Sequence, residues 1–431
     1  MKAVGLITEY NPLHNGHIYH MNEAVKMTGA DLTIAVMSGN YVQRGEPAIT
    51  DKYTRCRAAL KSGINLLVEL PAYYALSSAE IFAKGAMRIL NSLMCDYVVF
   101  GSECGDINIL KEIANVLSNE PEAFKNALKN ELSSGLSFPK ARMNALNSYF
   151  KNDYSKILEN PNNILGIEYL KAIFQSKSTI TPMTVKRIGK GYNDETIDSA
   201  SDNSDLSFNS ATAIRKAVLD NNTDNKDNKD NTDNTNNNTN IKKLFLPQMY
   251  EEFMDSYNKS APVFKDDFSI LLNYRLHDIF FKCGNDKHKI SSELQKYEDI
   301  TENIANRIAV CFTGHDTFTE FAAKLKTKSY TLSRINRCLF HIILGIDHNT
   351  ALFFEHNNYI RIIGFDEKGR EYLNEIKKKT DAIIITKPSK HSELIAADIH
   401  AANIYNQICF NKFGYMCKDE FHHGICIKNT R

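Results

Sequence analysis

Two hydrophobic rhythms alternate through the first half of the chain. Residues 3–8, 32–37, 64–70 and 97–100 are short, largely unbroken apolar runs of strand length. Between them, 16–27, 51–61 and 79–93 carry apolar residues at three- and four-residue spacing, and Asp51 stands where a helix cap belongs. Continuous rather than alternating apolar strands predict a parallel sheet covered by helices on both faces. In such α/β sheets, ligands sit beyond the C-terminal strand ends. The rhythm stops at 220–240, DNNTDNKDNKDNTDNTNNNTN, which has no apolar residue and is predicted to be a disordered Asn/Asp-rich insert. From 241 to about 346 the pattern is helical, with Phe268, Leu271, Leu272, Leu276 and Ile279 on one stripe. A strand at 359–364, a helix at 368–378 and a strand at 382–386 follow. The expectation is therefore an α/β domain over 1–219, the insert at 220–240, and a mainly helical domain over 241–431 with a small α/β appendage.

Composition narrows the class. The chain has 431 residues and is 43% hydrophobic, enough to build a core in each of two or three domains. No run approaches the ~18 apolar residues of a membrane span, and the N-terminus has no secretory pattern, so a cytoplasmic protein without a membrane partner is expected. The nine Cys are scattered with no CxxC spacing, which predicts reduced thiols. Cys409, Cys417 and Cys426 near His422 and His423 match no common zinc spacing, so no protein metal site is assigned. The formal charge of +1 shows no sign of a strongly basic nucleic-acid binder. By segment, however, 1–219 carries 23 basic and 22 acidic residues, 220–240 carries 2 and 5, and 241–431 carries 27 and 24. The insert masks part of the positive charge of the last segment.

The loop after the first strand reads Thr8-Glu-Tyr-Asn-Pro-Leu-His14-Asn-Gly16-His17. Two imidazoles three residues apart lie over a helix N-terminus, with Gly16 permitting close backbone approach. This is a place where polyphosphate charge is stabilised. An ordinary strand-to-helix loop with incidental histidines is the plain alternative. Ser210-Ala-Thr212-Ala-Ile-Arg215 offers hydroxyls, main-chain N–H groups at a helix start and an arginine; taken alone it reads as a helix cap followed by an exposed Arg.

NPLHNGH resembles the HxGH signature of the nucleotidylyltransferase superfamily, whose Rossmann-like domain binds ATP, and Ser210–Arg215 resembles that superfamily's Ser/Thr-rich turn ending in Ile-Arg. Further blocks are Met37-Ser-Gly-Asn-Tyr-Val-Gln-Arg44-Gly-Glu-Pro47, Glu69-Leu-Pro71, Phe100-Gly101-Ser-Glu103, Pro161-Asn162-Asn163-Ile-Leu-Gly-Ile-Glu-Tyr-Leu and Arg187-Ile-Gly-Lys-Gly-Tyr192. Together they resemble one family, the tRNA-Met cytidine acetate ligases, over most of the chain. The resemblance implies ATP along Ile7, Thr8, Glu9, Tyr10, Asn11, Pro12, Leu13, His14, Asn15, Gly16, His17, Ile18, Tyr19 and His20. Gly101, Asn162 and Arg187 would complete the pocket, and Ser210, Thr212 and Arg215 would hold the β- and γ-phosphates. His14, His17 and Arg187 would be catalytic, with Mg²⁺ expected alongside ATP. Without the family, Gly101 would serve a turn, Asn162 a cap and Arg187 the solvent. One departure is Asn193 after Tyr192, where the family carries His.

Residues 324–337 place Lys324, Lys326, Lys328, Arg334, Arg337 and Tyr330 in 14 positions with no acid. A helix from Thr331 would put Arg334 and Arg337 on one face, which suits an RNA backbone and an unstacked base; a solvated amphipathic face is the commoner cause of such a pattern. The resemblance shifts the reading to RNA. It implies that acetate attacks the α-phosphate of ATP, and that the resulting acetyl-adenylate acetylates N4 of the wobble cytidine of elongator tRNA-Met. DNA is not expected as a partner. Two rivals stay open: a nucleotidylyltransferase acting on a small phosphorylated metabolite, and a non-catalytic RNA-binding protein.

Overall fold

The computed structural model of the chain describes residues 1–187, 210–227, 242 and 244–428. Its first part follows β1 (Ala3–Thr8), α1 (Asn15–Thr28), β2 (Leu32–Ser38), a hairpin of β3 (Tyr41–Val42) and β4 (Glu46–Pro47), α2 (Lys52–Lys61) and β5 (Leu66–Leu70). Next come α3 (Ala72–Ala75), α4 (Ala79–Ser92), β6 (Tyr97–Ser102), α5 (Ile107–Asn119), α6 (Glu122–Ser133), α7 (Phe138–Phe150), α8 (Ser155–Leu158), α9 (Pro161–Ser176), β7 (Thr181–Lys186) and α10 (Ala211–Asp227). The helical part contains α11 (Pro247–Ser256), α12 (Ser269–Lys282), α13 (Lys287–Leu294), α14 (Glu302–Cys311), α15 (Phe318–Leu325), α16 (Leu332–Leu344) and α17 (His348–His356). The chain closes with β8 (Tyr359–Phe365), α18 (Glu367–Ile376), β9 (Ile383–Ile385), α19 (Ala396–Phe413) and β10 (Cys426–Ile427).

Apart from the β3–β4 hairpin, the strands form one sheet in the order β10-β8-β5-β2-β1-β6-β7, with β9 also on β8. β5, β2, β1, β6 and β7 are parallel, with Ala3 opposite Leu32 and Tyr97 opposite Thr181. The continuous apolar runs have the expected cause. Ile34, Val36 and Val68 pack toward α4, α5 and α9, whereas Ala35, Met37 and Leu67 pack toward α1, α2 and α11. Both faces are dry, so both sets of side chains are apolar. Strand order turns at β1, with β2 on one side and β6 on the other. That is the switch point at which doubly wound sheets bind ligands.

Two expectations change. The α/β stretch after 359 is no appendage, because β8 pairs antiparallel with β5 (Leu66 opposite Phe365) and extends the first sheet. β8 is buried along six of its seven residues, so it needs cover on both faces, and α2 and α18 supply it. The helical core is equally entangled with the first segment, since Tyr41, Tyr73 and Leu76 belong to the same cluster as Phe268, Leu272 and Phe340. The division at 240 therefore does not separate two cores. Residues 220–227 of the expected insert belong to α10. α10 continues through Asp227, since a nucleated helix gains one backbone hydrogen bond for each residue it adds. Residues 228–240 lie outside the described set. Among the described residues, no helix is long and apolar enough to cross a membrane.

Candidate active site

The His14–His17 turn is held by its own backbone. His14 is the N-cap of α1; its Nδ1 accepts the Gly16 N–H at 3.1 Å, and His17 Nδ1 accepts the His14 N–H at 3.2 Å. With Nδ1 accepting in both rings, each neutral imidazole carries its proton on Nε2, as a donor. The rings lie 3.8 Å apart, and a Cβ at Gly16 would come within 2.9 Å of the His14 ring, so glycine is what lets the ring sit against the helix start. Burial, reinforced by Arg187 and Arg215, lowers the His14 pKa to about 3. Burial likewise brings His20 to about 4 and depresses His17 well below the ordinary range. All three are neutral at pH 7.

This turn forms one wall of a pocket beyond the C-terminal ends of β1 and β6. Three helix N-termini meet there: α1 behind His14, α9 at Asn162, and α10 at Ser210, Ala211 and Thr212. Ser210 Oγ accepts the Ala213 N–H at 3.1 Å, so it caps α10 as well as lining the pocket. Arg215 reaches across to the Asn11 carbonyl at 2.9 Å, tying the second motif to the first over 204 residues of sequence. Asn11 accepts the Ile49 N–H through Oδ1, while its buried Nδ2 has no protein partner, a donor unspent by the fold.

Of the expected ATP residues, Ile7, Thr8, Glu9, Tyr10, Asn11, His14, Gly16, His17, Tyr19, His20, Gly101, Asn162, Arg187, Ser210, Thr212 and Arg215 line this pocket. Pro12, Leu13, Asn15 and Ile18 do not. Leu13 is buried in the core behind the loop and Ile18 packs against that core, because a helix presents only one side to the cleft. At Gly101 a Cβ would touch Arg187 Cγ at 3.4 Å, so the missing side chain leaves room beside that arginine. Asn162 is not the cap of α9, which is Asn160; it lies in the first turn. Its Nδ2 donates to Glu103 Oε1 at 2.6 Å, which leaves Oδ1 as the acceptor. Tyr192 and Asn193 lie outside the described residues.

Sequence reading missed several members of the wall. Phe82, Phe100, Leu165 and Tyr169 supply an apolar side, and Gln43, Arg44 and Lys186 a polar one. Gln43 and Arg44 stood in a recognised block without a role. Phe100, Leu165 and Tyr169 likewise stood in recognised blocks without a role, and Phe82 gave no signal, because its spacing is that of ordinary core. Arg55 was also unforeseen. It is fully buried in α2 and donates to the carbonyls of Glu9 (2.6 Å), Ser38 (3.0 Å), Gly39 and Thr50, clamping the C-terminal ends of β1 and β2 together.

The basic segment is less open than expected. Arg337 is only 7% exposed, and its guanidinium and that of Arg334 both pair with Asp299, at 3.3 and 3.0 Å. The acid that neutralises them lies outside the 14-residue window, so the local pattern could not reveal it. Lys324 pairs with Asp316 at 2.5 Å, whereas Lys326 and Lys328 are exposed. Arg334 also lies 5.3 Å from the centre of the Tyr330 ring. The segment nevertheless adjoins the pocket: a Cβ at Gly45, next to Arg44, would strike the Arg337 backbone at 2.5 Å. Among the described residues no group of three His, Cys, Asp or Glu side chains could hold a metal, and His423 stacks on Tyr53 instead.

The profile of the HIGH Nucleotidyl Transferase family matches residues 1–419. The chain is 39% identical over 432 residues to the tRNA(Met) cytidine acetate ligase of Caldanaerobacter subterraneus subsp. tengcongensis, covering 98% of this chain and 99% of that protein. It is 40% identical over 411 residues to the ligase of the same name from Caldicellulosiruptor saccharolyticus, covering 94% of each. Among solved structures, apo Thermotoga maritima TmcAL superposes with a TM-score of 0.86 at 31% identity over the whole of both chains. The same protein bound with alpha-thio ATP gives 0.84 at 30%, again over both whole chains.

Proposed function

We propose, from the premise that this chain belongs to the HIGH nucleotidyl transferases and within them to the tRNA(Met) cytidine acetate ligases, that it activates acetate with ATP and transfers the acetyl group to N4 of the wobble cytidine of elongator tRNA-Met. The observation that carries this reading is the meeting of three helix N-termini, two Nε2-donating histidines and Arg187 and Arg215 on one pocket at the sheet's switch point.

Acetate would attack the α-phosphorus and pyrophosphate would leave, so the transition state gathers negative charge on phosphate oxygens. His14 and His17 present neutral N–H donors to it, Arg187 adds a fixed charge, and Ser210, Thr212 and Arg215 hold the leaving phosphates. Asn162 Oδ1 suits the amino group of adenine, against the apolar side of Phe100 and Leu165. Mg²⁺ meets no protein cage among the described residues, and its chemistry suits it to ride on the nucleotide's phosphates. The mixed anhydride then makes the carbonyl reactive enough for cytidine N4, a weakly basic amine. Lys326, Lys328 and the Arg334–Tyr330 pair, in the segment whose Arg337 packs against Gly45 beside Arg44, offer the RNA its backbone contacts.

Incubation with ATP, labelled acetate and elongator tRNA-Met, followed by nucleoside analysis, is expected to yield labelled N4-acetylcytidine. Pyrophosphate–ATP exchange is expected only when acetate is present. Exchange that requires a phosphorylated metabolite instead would move the protein to the first rival, and ATP binding without N4-acetylcytidine would sink the reading.

A further inference from the structure

The reaction as read above leaves one proton without a destination. When N4 of cytidine becomes an amide nitrogen it must lose a hydrogen, and His14 and His17 cannot accept it. Each already carries a proton on Nε2 and uses Nδ1 as an acceptor within the turn. Among the described residues lining the pocket, Glu9 is the single carboxylate, facing a wall that holds Arg44, Lys186, Arg187 and Arg215. A carboxylate opposes phosphate binding, so nucleotide affinity gives no reason for its presence there.

Glu9 directly follows β1 at the switch point, and it is fixed from two sides. Arg55 holds its main-chain carbonyl at 2.6 Å, and the Gln43 N–H donates to its Oε1 at 2.8 Å. One backbone N–H leaves most of a carboxylate's accepting capacity unused. Burial raises its pKa above the ordinary 4.5, while the Gln43 N–H and the charges of Arg215, Arg44 and Arg55 pull the other way. Burial moves His20, the remaining pocket histidine, in the opposite sense, to about 4, which makes it the weaker base.

We propose that Glu9 is the proton acceptor of the acetyl-transfer step, an inference that rests on the reading of the site as an acetate ligase. The N4–carbon bond forms, the bond between the acetyl carbon and the phosphate oxygen breaks with its electron pair leaving on AMP, and the N4 proton passes to the Glu9 carboxylate and then to solvent. The histidines and arginines serve adenylate formation, and Glu9 serves the second step.

The test measures the two half-reactions separately. Acetate-dependent pyrophosphate–ATP exchange reports the first, and single-turnover transfer from enzyme preloaded with acetyl-adenylate to tRNA reports the second. Glu9→Gln is expected to slow transfer by roughly 100-fold or more while exchange falls by less than about tenfold, and Glu9→Asp to recover part of the transfer rate. A melting curve and an ATP-binding titration on each variant guard against misfolding. Equal loss of exchange and transfer in Glu9→Gln would place Glu9 in nucleotide binding and overturn the proposal, as would unchanged transfer. If the unsubstituted protein gave no acetate-dependent exchange, the ligase reading itself would fall and this inference with it.

Discussion

A neutral histidine pair is what the HxGH turn contributes chemically, and its neutrality is legible only from the folded site. His14 is 8% exposed, and its pKa drops from the ordinary 6.5 to about 3. Between those values the unfolded chain binds a proton that the folded chain does not, so stability is complete above pH 6.5 and falls as the pH drops through that window. His17 and His20 act in the same direction. Thermal melts are therefore expected to show a midpoint that declines from pH 7 to pH 4, with a shallower slope in His14→Gln. An equal slope would mean that His14 titrates normally in the fold. The motif itself was readable in sequence because it is local: seven consecutive residues carry two rings and the glycine between them. Arg55 was not, since its four acceptors are carbonyls of 9, 38, 39 and 50, which look like nothing in a one-dimensional pattern.

At the level of elements, the helices and strands expected within residues 3–100 followed closely from periodicity, because both faces of the sheet are buried and the runs are unambiguous. Between 107 and 186, by contrast, the sequence reading assigns no element, and the structure has the five helices α5–α9 and the strand β7 there. The basic segment shows where a local pattern stops being informative. The helix from Leu332 forms as expected, capped by Thr331, but its orientation turns Arg337 inward onto Asp299. Exposed ion pairs such as Lys324–Asp316 are worth little and yield easily to phosphate. A buried arginine sharing its acid with another does not. Lys326→Ala with Lys328→Ala is expected to lower tRNA affinity and to reduce its salt slope by roughly 2, as loss of two phosphate contacts requires. Arg337→Ala is expected to lower the unfolding midpoint instead, because it leaves Asp299 with less compensation. Filter binding over a salt series and thermal melts separate the two; an unaltered salt slope in the lysine variant would put the RNA elsewhere.

On the scale of the whole molecule, the stretch from β8 onward holds the two parts together. Lys52 in α2 pairs with Glu69 at 2.7 Å and with Glu420 at 2.9 Å, and Arg361 of β8 pairs with Glu420 at 2.8 Å, all of them buried. Removing one partner from such a cluster strands the opposite charge in a dry interior. Glu420→Ala is accordingly expected to cost about 3 kcal/mol, read from urea unfolding; an unchanged midpoint would show that the stretch after α19 adds nothing to the lock. The sequence by itself determined the parallel α/β sheet, the HxGH turn, the helix start around Ser210 and the helical character of 241–346, because each is written in adjacent residues or in their spacing. Tertiary structure alone decided that β8 would join β5, that Arg215 would meet Asn11, that Arg337 would be spent on Asp299 and that Glu9 would stand as the one carboxylate among the described residues of a cationic pocket. These are pairings between residues far apart in the chain. The physical reason is that burial and charge compensation depend on what surrounds a side chain in space, and periodicity records only which face it occupies.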